Sequence, residues 1–412
     1  MVDISIEFDN THGVFVPGFE VTGSVIFNVP ESPLKARAVI ISVDGRAYTH
    51  WTVSERHSST MTQGQTQTSH RTVTYSACVP YASGEAILWS PAAGESSGHI
   101  PVGTHRFPFR FNLPSNCPPS YEGSHGYIRY FCKAKIDRPW KFDHTTRRVF
   151  TVVPTFDLNL IPSASLPVSA LQAKDLGVLF FKHGKLSINA KLLKGGYVPG
   201  EGIVLQAEIS NGSSRPISKV ELKLVEYSTY IAYRNGAWIE HGINSGRHSE
   251  QRAHRRTVSQ FEEKVDIGKG STSSYSRMIP IPPVVPTFNT CPIINVSYSV
   301  KVKVTAQATL SNTLSVHLPV LIGTIPIRQY QSPISGSVGN GIGWQNGPTG
   351  GIGSGATPAG PSAPPLSVMD PPPSYEESVF GKGTMKDEEE NKAFAPRYVY
   401  YPNITPSAPP LQ

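Results

Sequence analysis

The chain has 412 residues, which is enough for two folded domains with extensions, and a formal net charge of +7. Only 16% of the residues are charged, while 37 are proline and 36 are glycine, a composition that favours an all-β protein with many turns. No run of 18 apolar residues occurs, and the first residues lack the basic and apolar stretches of a signal peptide. We therefore expect an all-β, cytosolic protein that does not span a membrane.

The four cysteines are Cys78, Cys117, Cys132 and Cys291, and no two of them have the Cys-x-x-Cys spacing of a zinc site. Because a signal peptide is also missing, a disulfide framework is not expected. The sequence predicts buried or incidental thiols.

An internal repeat organises the first part of the chain. Gly-Val-Phe-Val-Pro-Gly at 13–18 and Gly-Tyr-Val-Pro-Gly at 196–200 each precede an alternating strand, and each Pro-Gly pair predicts a turn that starts a hairpin. The segments 128–136 and 296–304 alternate apolar with polar or basic residues, the pattern of a strand with one buried face. The spacing of about 180 residues is too long for a solenoid, so the repeat predicts two tandem β-sandwiches.

These segments also give the domain boundaries. We predict an N-terminal β-sandwich at 1–153, a proline-containing linker at 154–176, a C-terminal β-sandwich at 177–328 and a tail at 329–412. From residue 329 onward Gly, Ser and Pro dominate. A segment of that composition cannot bury a core, so the tail is predicted to be disordered.

Short docking peptides lie in the tail. Pro-Ser-Ala-Pro-Pro occurs at 361–365 and 406–410, and Pro-Pro-Ser-Tyr occurs between them at 372–375. Proline favours polyproline II, which loses little entropy when it binds an aromatic-lined groove such as that of a WW domain; the alternative is a proline-rich spacer. The predicted WW-binding residues are Pro372, Pro373 and Tyr375. The predicted residues of the repeated peptide are Pro361, Ser362, Ala363, Pro364, Pro406, Ser407, Ala408 and Pro409.

A second Pro-Pro-Ser-Tyr, at 118–121, lies inside the first predicted sandwich. It falls between two predicted strands, and a folded turn cannot easily present polyproline II. We interpret this copy as structural.

Basic residues concentrate in two stretches, and a basic face built from them would bind anionic lipid headgroups or the phosphorylated or acidic tails of cargo. The residues assigned to this face are Arg138, Lys141, Arg147, Arg148, Arg252, Arg255 and Arg256. The alternative is a solvated sheet face with scattered charge. No nucleic-acid module accompanies these residues, and Trp140 is interpreted as sandwich packing.

No catalytic constellation is recognisable. The 13 histidines are scattered singly, and neither His-Glu-x-x-His, nor Gly-x-Ser-x-Gly, nor a phosphate-binding glycine motif is present. We therefore predict a protein that is not an enzyme and has no cofactor and no metal site.

Four segments carry a specific resemblance. They are Pro-Val-Gly-Thr-His-Arg-Phe-Pro-Phe-Arg-Phe-Asn-Leu-Pro at 101–114, Gly-Tyr-Ile-Arg-Tyr-Phe-Cys-Lys-Ala-Lys at 126–135, Asp-Leu-Asn at 157–159 and Pro-Val-Leu-Ile-Gly-Thr-Ile-Pro at 319–326. Together they resemble the arrestin domain-containing proteins, or α-arrestins. The resemblance implies two tandem arrestin-like β-sandwich lobes joined at a hinge, followed by the Pro/Gly-rich tail.

Members of that family are adaptors whose lobes engage membrane cargo and whose tails recruit WW-containing HECT-type ubiquitin ligases. The resemblance therefore implies an adaptor for ubiquitylation and endosomal trafficking, in the cytoplasm and peripherally at the plasma membrane and endosomes. The expected partners are a WW-domain HECT ubiquitin ligase, membrane-protein cargo, anionic lipid and the ubiquitin-E2-variant subunit of the ESCRT machinery. The alternative is a vesicle-budding scaffold that recruits ESCRT through the Pro-Ser-Ala-Pro peptides. Some members carry two Pro-Pro-x-Tyr motifs in the tail, whereas here only Tyr375 qualifies.

Overall fold

The structure of the protein is a computed structural model that describes residues 2–60, 66–178, 181–239, 248–307, 312–328 and 394–401. Strands dominate these residues, and 3₁₀ turns occur at Leu158–Leu160 and Pro162–Ala164. Within the described ranges, no helix has the length and apolar character needed to cross a bilayer.

The N-lobe is a β-sandwich. Its strands are β1 (Ile4–Phe8), β2 (Val14–Phe15), β3 (Glu20–Val29), β4 (Leu34–Ala36), β5 (Ala38–Thr60), β6 (Thr66–Trp89), β7 (Gly98–Ile100), β8 (Gly103–Asn112), β9 (Tyr121–Gly123), β10 (Gly126–Asp137) and β11 (His144–Val152). One sheet has the order β1-β3-β8, and the other has the order β6-β5-β10-β11-β2, with β9 paired to β10. The short strands β4 and β7 pair with each other.

The C-lobe is a second β-sandwich. Its strands are β12 (Val168–Val178), β13 (Phe181–Leu192), β14 (Gly196–Tyr197), β15 (Gly202–Ser213), β16 (Ile217–Arg234), β17 (Ser249–Ile267), β18 (Ser271–Pro280), β19 (Ile294–Ala306) and β20 (Thr313–Ile322). One sheet has the order β12-β13-β15-β18, and the other has the order β17-β16-β19-β20-β14.

The repeat seen in the sequence corresponds to equivalent strands. The segments that begin at Gly13 and Gly196 form β2 and β14, each of which adds a short parallel strand to its lobe, β2 beside β11 and β14 beside β20. The segments 128–136 and 296–304 form the central strands β10 and β19. Alternation buries one face of each strand, as Ile128 and Ile136 at 0% exposure illustrate. The prediction of two tandem β-sandwiches is confirmed.

Strand β12 is a difference from the sequence analysis. The linker was predicted at 154–176, yet Val168–Val178 pairs with β13 as an edge strand of the C-lobe. An edge strand has one neighbour and a largely exposed outer surface, so it lacks the apolar alternation that reveals a central strand. Leu171, which is exposed, shows how weak that pattern is here.

The two lobes are connected through backbone pairing and through the hinge. Tyr233 and Arg234 of β16 pair with Ser76 and Tyr75 of β6, so the larger sheets of both lobes are continuous, and their buried apolar side chains form one cluster. At the hinge, Asp157 forms a parallel bridge with Ile325. The two motifs of the resemblance at 157–159 and 319–326 therefore meet in space.

Candidate interaction surfaces

The docking peptides of the tail lie outside the described residues. This holds for Pro372, Pro373 and Tyr375 and for both Pro-Ser-Ala-Pro copies. Their roles stay predictions.

One segment of the tail, however, is packed against the lobes. Residues 394–401, which we call the strap, read Phe-Ala-Pro-Arg-Tyr-Val-Tyr-Tyr. Tyr398 is 2% exposed and Tyr401 7%. These eight residues are therefore a packed exception within the tail that the sequence predicts to be disordered. The reason is that aromatic and apolar side chains are concentrated here and supply the buried area that the Gly/Pro/Ser-rich stretch lacks.

The strap crosses from one lobe to the other. At its N-lobe end, the Arg397 amide donates to Thr151 Oγ1 at 3.1 Å, and the Tyr398 hydroxyl donates to the Ser120 carbonyl oxygen at 2.9 Å. The guanidinium of Arg397 also donates to the His12 carbonyl oxygen at 3.3 Å. A segment with backbone and side-chain partners of this kind is specifically bound.

At its other end, the strap reaches the hinge and the C-lobe. The Tyr401 amide donates to the Pro199 carbonyl oxygen at 3.1 Å, and the Tyr401 hydroxyl donates to the Thr324 carbonyl oxygen at 2.7 Å. Burial raises the pKa of the Tyr401 phenol to about 12. Gly200 lies so close that a Cβ there would be 2.2 Å from the Tyr401 carbonyl oxygen. The repeated Val-Pro-Gly turn of the C-lobe thus forms one wall of the strap's groove.

The Pro-Pro-Ser-Tyr at 118–121 is part of the same region and is buried throughout. Tyr121 is 1% exposed, and the Ser120 hydroxyl accepts a hydrogen bond from the Val152 amide at 2.9 Å. This copy has no surface for a WW domain in the folded chain, and the structural interpretation is confirmed.

Tyr121 belongs to a buried polar network between the lobes. Its hydroxyl donates to Glu226 at 3.3 Å and lies 3.1 Å from the Tyr230 hydroxyl. Glu226, 2% exposed, also accepts from the Tyr298 hydroxyl at 3.0 Å and is paired with the Arg256 guanidinium. A buried carboxylate needs such partners because desolvation strongly disfavours an isolated charge.

The residues predicted as a basic face do not form one surface. Arg147 lies over the ring of Phe131, while its neighbour Arg148 lies over Phe8 on the opposite face of the sheet and donates to the Ile6 carbonyl oxygen. The prediction is wrong for Arg148 and for Arg256, whose charge is paired inside the lobe interface. Successive residues of a strand point to opposite faces, so adjacent arginines cannot share one.

The remaining members of that predicted face lie in separate places. Arg138 and Lys141 belong to the hairpin between β10 and β11. Arg252 and Arg255 lie on β17 of the C-lobe, over the rings of Trp51 and Tyr227. The structure therefore offers local basic sites in place of one continuous face.

Trp140 is also placed differently from the prediction. It was interpreted as sandwich packing, yet it is 99% exposed. Its backbone φ is 60°, in the left-handed region, so the alternation of β10 does not continue into the hairpin. The aromatic ring consequently points into solvent.

A lysine patch on the outer face of the C-lobe escaped the sequence analysis. It consists of Lys219 and Lys223 on β16 and Lys301 and Lys303 on β19, which surround Glu221. Hydrogen bonding from Lys219, with the charges of Lys303 and Lys223, lowers the pKa of Glu221 to about 2. The signal was the alternation of 296–304, which places both β19 lysines on one face. Lys219 also pairs with Glu262, so the four ammonium groups outnumber the two carboxylates and leave a net positive charge here.

The cysteines are buried thiols. All four cysteines are free and buried, and burial raises the pKa of Cys132 to about 12. Across the described ranges, no cluster of three or more His, Cys, Asp or Glu residues could hold a metal ion.

Comparison with known proteins places this architecture in a family. Residues 4–159 match the arrestin (or S-antigen) N-terminal domain, and residues 182–327 match the arrestin (or S-antigen) C-terminal domain. The chain belongs to the arrestin domain-containing proteins, the α-arrestins, a membership that indicates an adaptor or trafficking role.

Three relatives illustrate the similarity. The chain is 32% identical to arrestin domain-containing protein 4 of Homo sapiens over 79% of this chain and 71% of that protein. It is 29% identical to arrestin domain-containing protein 17 of Caenorhabditis elegans over 93% of this chain and 81% of the relative. It is 29% identical to arrestin domain-containing protein 1 of Homo sapiens over 68% of this chain and 55% of the relative.

Proposed function

We propose that the protein is a non-catalytic adaptor that links membrane-protein cargo to WW-containing HECT-type ubiquitin ligases, for ubiquitylation and endosomal trafficking. It acts in the cytoplasm and peripherally at the plasma membrane and endosomes. The observation that carries the proposal is the Pro-Pro-Ser-Tyr at 372–375 in the tail of a two-lobed arrestin-family chain. The strap supports it, because it anchors this tail beside the hinge.

The lobes provide the cargo side of the adaptor. The lysine patch around Glu221 is a partly exposed source of positive charge on the C-lobe, and such a site suits acidic or phosphorylated cargo tails or anionic headgroups. The tail provides the ligase side. Adaptor action of this kind requires no catalytic group.

The ligase peptide is tested by titration of residues 365–382 against a panel of WW domains. Tyr375→Ala should lower affinity about 30-fold or more, because the phenol of such a peptide fills a pocket as a hot spot and a hot spot contributes about 2 kcal/mol or more. Phosphorylation of Tyr375 should also weaken binding, since it places charge in an apolar pocket. Equal affinity of the alanine peptide contradicts the assignment.

The chain contains its own matched control for this test. Pro-Pro-Ser-Tyr at 118–121 has the same four letters but is buried. In the full-length protein, Tyr375→Ala should therefore abolish WW capture even though the other copy is intact. If capture persists in the folded variant, the copy at 118–121 is accessible and the ligase site is not at Tyr375.

A second function is ESCRT recruitment for trafficking or vesicle budding. It is favoured by the repetition of Pro-Ser-Ala-Pro at 361–364 and 406–409. Pro361→Ala with Pro364→Ala should reduce co-precipitation of the ubiquitin-E2-variant subunit modestly, because the other copy remains. Adding Pro406→Ala and Pro409→Ala should abolish it, together with release of the protein in vesicles. Undiminished capture by the combined variant means that the peptides are spacers.

A further inference from the structure

The hairpin that joins β10 to β11 exposes two large aromatic side chains. Trp140 is 99% exposed and Phe142 is 97% exposed. Trp140 also has a φ of 60°, which is uncommon for a bulky residue and costs conformational energy. Two apolar rings thus stay in water on a strained turn, and the stability of the fold does not explain this arrangement.

The base of this hairpin is held in one conformation by polar contacts. The Arg138 amide donates to Asp143 Oδ1 at 3.0 Å, and the Arg138 guanidinium donates to His144 Nε2 at 2.9 Å. Arg37 donates to the Arg138 carbonyl oxygen at 3.3 Å and pairs with Asp137 at 3.7 Å. The rings therefore project from a braced tip, which reduces the entropy lost when they bind.

A cavity of about 380 Å³ opens at the foot of the hairpin. Lys35, Arg138, Lys141 and His144 line it, against the single carboxylate of Glu31. Its volume lies within the range of small-ligand sites, about 300–1,000 Å³. The combination of cationic lining and adjacent exposed rings matches a phosphate-bearing headgroup with an apolar phase beside it.

The tip lies at the edge of the N-lobe that faces away from the C-lobe. The other end of β10 begins at Gly126, paired with Thr49, whose hydroxyl donates to the Ile231 carbonyl oxygen of the C-lobe. Since β10 has 12 residues, the tip is about 36 Å from that contact. Val102, half exposed in the turn before β8, adjoins Gly103, which pairs with Val29 in the wall of the same cavity. Contact with a membrane here leaves the C-lobe and the strap accessible.

We propose that residues 138–143 are a membrane-insertion hairpin: Trp140 and Phe142 enter the interfacial layer of a bilayer, while Lys35, Arg138 and Lys141 bind anionic headgroups. Aromatic rings concentrate at that layer, and basic residues near an anionic surface are attracted to it. A lipid surface fits better than a protein, because a convex tip of two rings offers far less area than a stable protein interface buries. The inference rests on the proposed role at membranes and adds the surface that makes the contact.

The test is co-sedimentation of the full-length protein with vesicles of phosphatidylcholine alone and of phosphatidylcholine with phosphatidylserine or a phosphoinositide. Trp140→Ser with Phe142→Ser should lower the partition coefficient on anionic vesicles about tenfold or more, since two rings no longer leave water. Both side chains are almost wholly exposed, so the variant should keep the thermal midpoint of the parent. Phe19→Ser removes another exposed aromatic ring, 68% exposed, and serves as the matched control.

Lys35→Glu with Lys141→Glu should remove the preference for anionic over neutral vesicles, and added salt should do the same to the parent protein. If the Trp140/Phe142 variant has the same partition coefficient on anionic vesicles as the parent, the insertion proposal is wrong, and the two rings are better explained as a binding site for a protein. Equal binding of the parent to neutral and anionic vesicles overturns the headgroup site. Vesicles contain neither cargo nor ligase, so either result leaves WW capture through Tyr375 to be judged separately.

Discussion

Replacing Tyr398 by alanine should release the strap from its groove between the lobes. The side chain is 2% exposed, and its hydroxyl donates to the Ser120 carbonyl oxygen at 2.9 Å. Truncating a buried aromatic ring costs about 3–5 kcal/mol. Loss of at least about 3 kcal/mol from the docked state corresponds to a more than hundredfold increase in the population of the released strap.

Hydrogen exchange of two amides reports this release. The Arg397 amide is bonded to Thr151 and the Tyr401 amide to Pro199, so both exchange only when the strap opens. In Tyr398→Ala, their exchange should accelerate about a hundredfold or more. Tyr400→Ala is the matched control, because Tyr400 belongs to the same segment but is only half-buried, and it should accelerate exchange far less. Equal effects of the two variants, or no effect of either, would refute the anchoring role of Tyr398.

Three further outcomes follow from the structure. Glu226→Ala should lower the free energy of urea unfolding by about 3–5 kcal/mol because it leaves Arg256 uncompensated, whereas Glu250→Ala, at a half-exposed ion pair with Arg252, should cost about 1 kcal/mol or less; similar costs would contradict the buried network. The folded-state pKa of Glu221 is lowered from 4.5 to about 2, so the contribution of its charge to the free energy of unfolding should be complete above pH 4.5 and lost as the pH falls toward 2. Glu221→Gln should flatten this part of the curve of stability against pH. Cys132, with its pKa raised to about 12, should resist alkylation at pH 8 until the protein is unfolded, as mass spectrometry would show; labelling of native protein contradicts its burial.

The strands that carry the two lobes were readable from local pattern. Alternation over 128–136 identifies the buried face of β10, and the repeated Pro-Gly turns identify the paired sandwiches. These features depend on near neighbours in the sequence, so a period of two residues is sufficient evidence. The opposite orientation of Arg147 and Arg148 follows from the same period.

Other features depend on where distant segments meet. Glu226 and Arg256 belong to neighbouring strands, but nothing local indicates that their faces are buried between lobes. Trp140 continues the even-numbered buried positions of β10, and only the change of φ at the turn sends it outward. The sequence of the strap does indicate a buried segment, since Tyr398, Tyr400 and Tyr401 fall within four residues. Its groove, however, is formed by both lobes and cannot be predicted from the tail alone.

Because the strap is bound to the lobes, it sets an upper limit on the distance of two docking peptides from them. Pro406 is five residues beyond Tyr401, so the second Pro-Ser-Ala-Pro begins no more than about 18 Å from the hinge at the full extension of a chain. Tyr375 is 19 residues before residue 394, so it lies at most about 65 Å from the start of the strap. Under the proposed function, a partner bound at Pro406 would therefore be held close to the lobes, whereas a ligase bound at Tyr375 would be within range of lysines on a separate molecule.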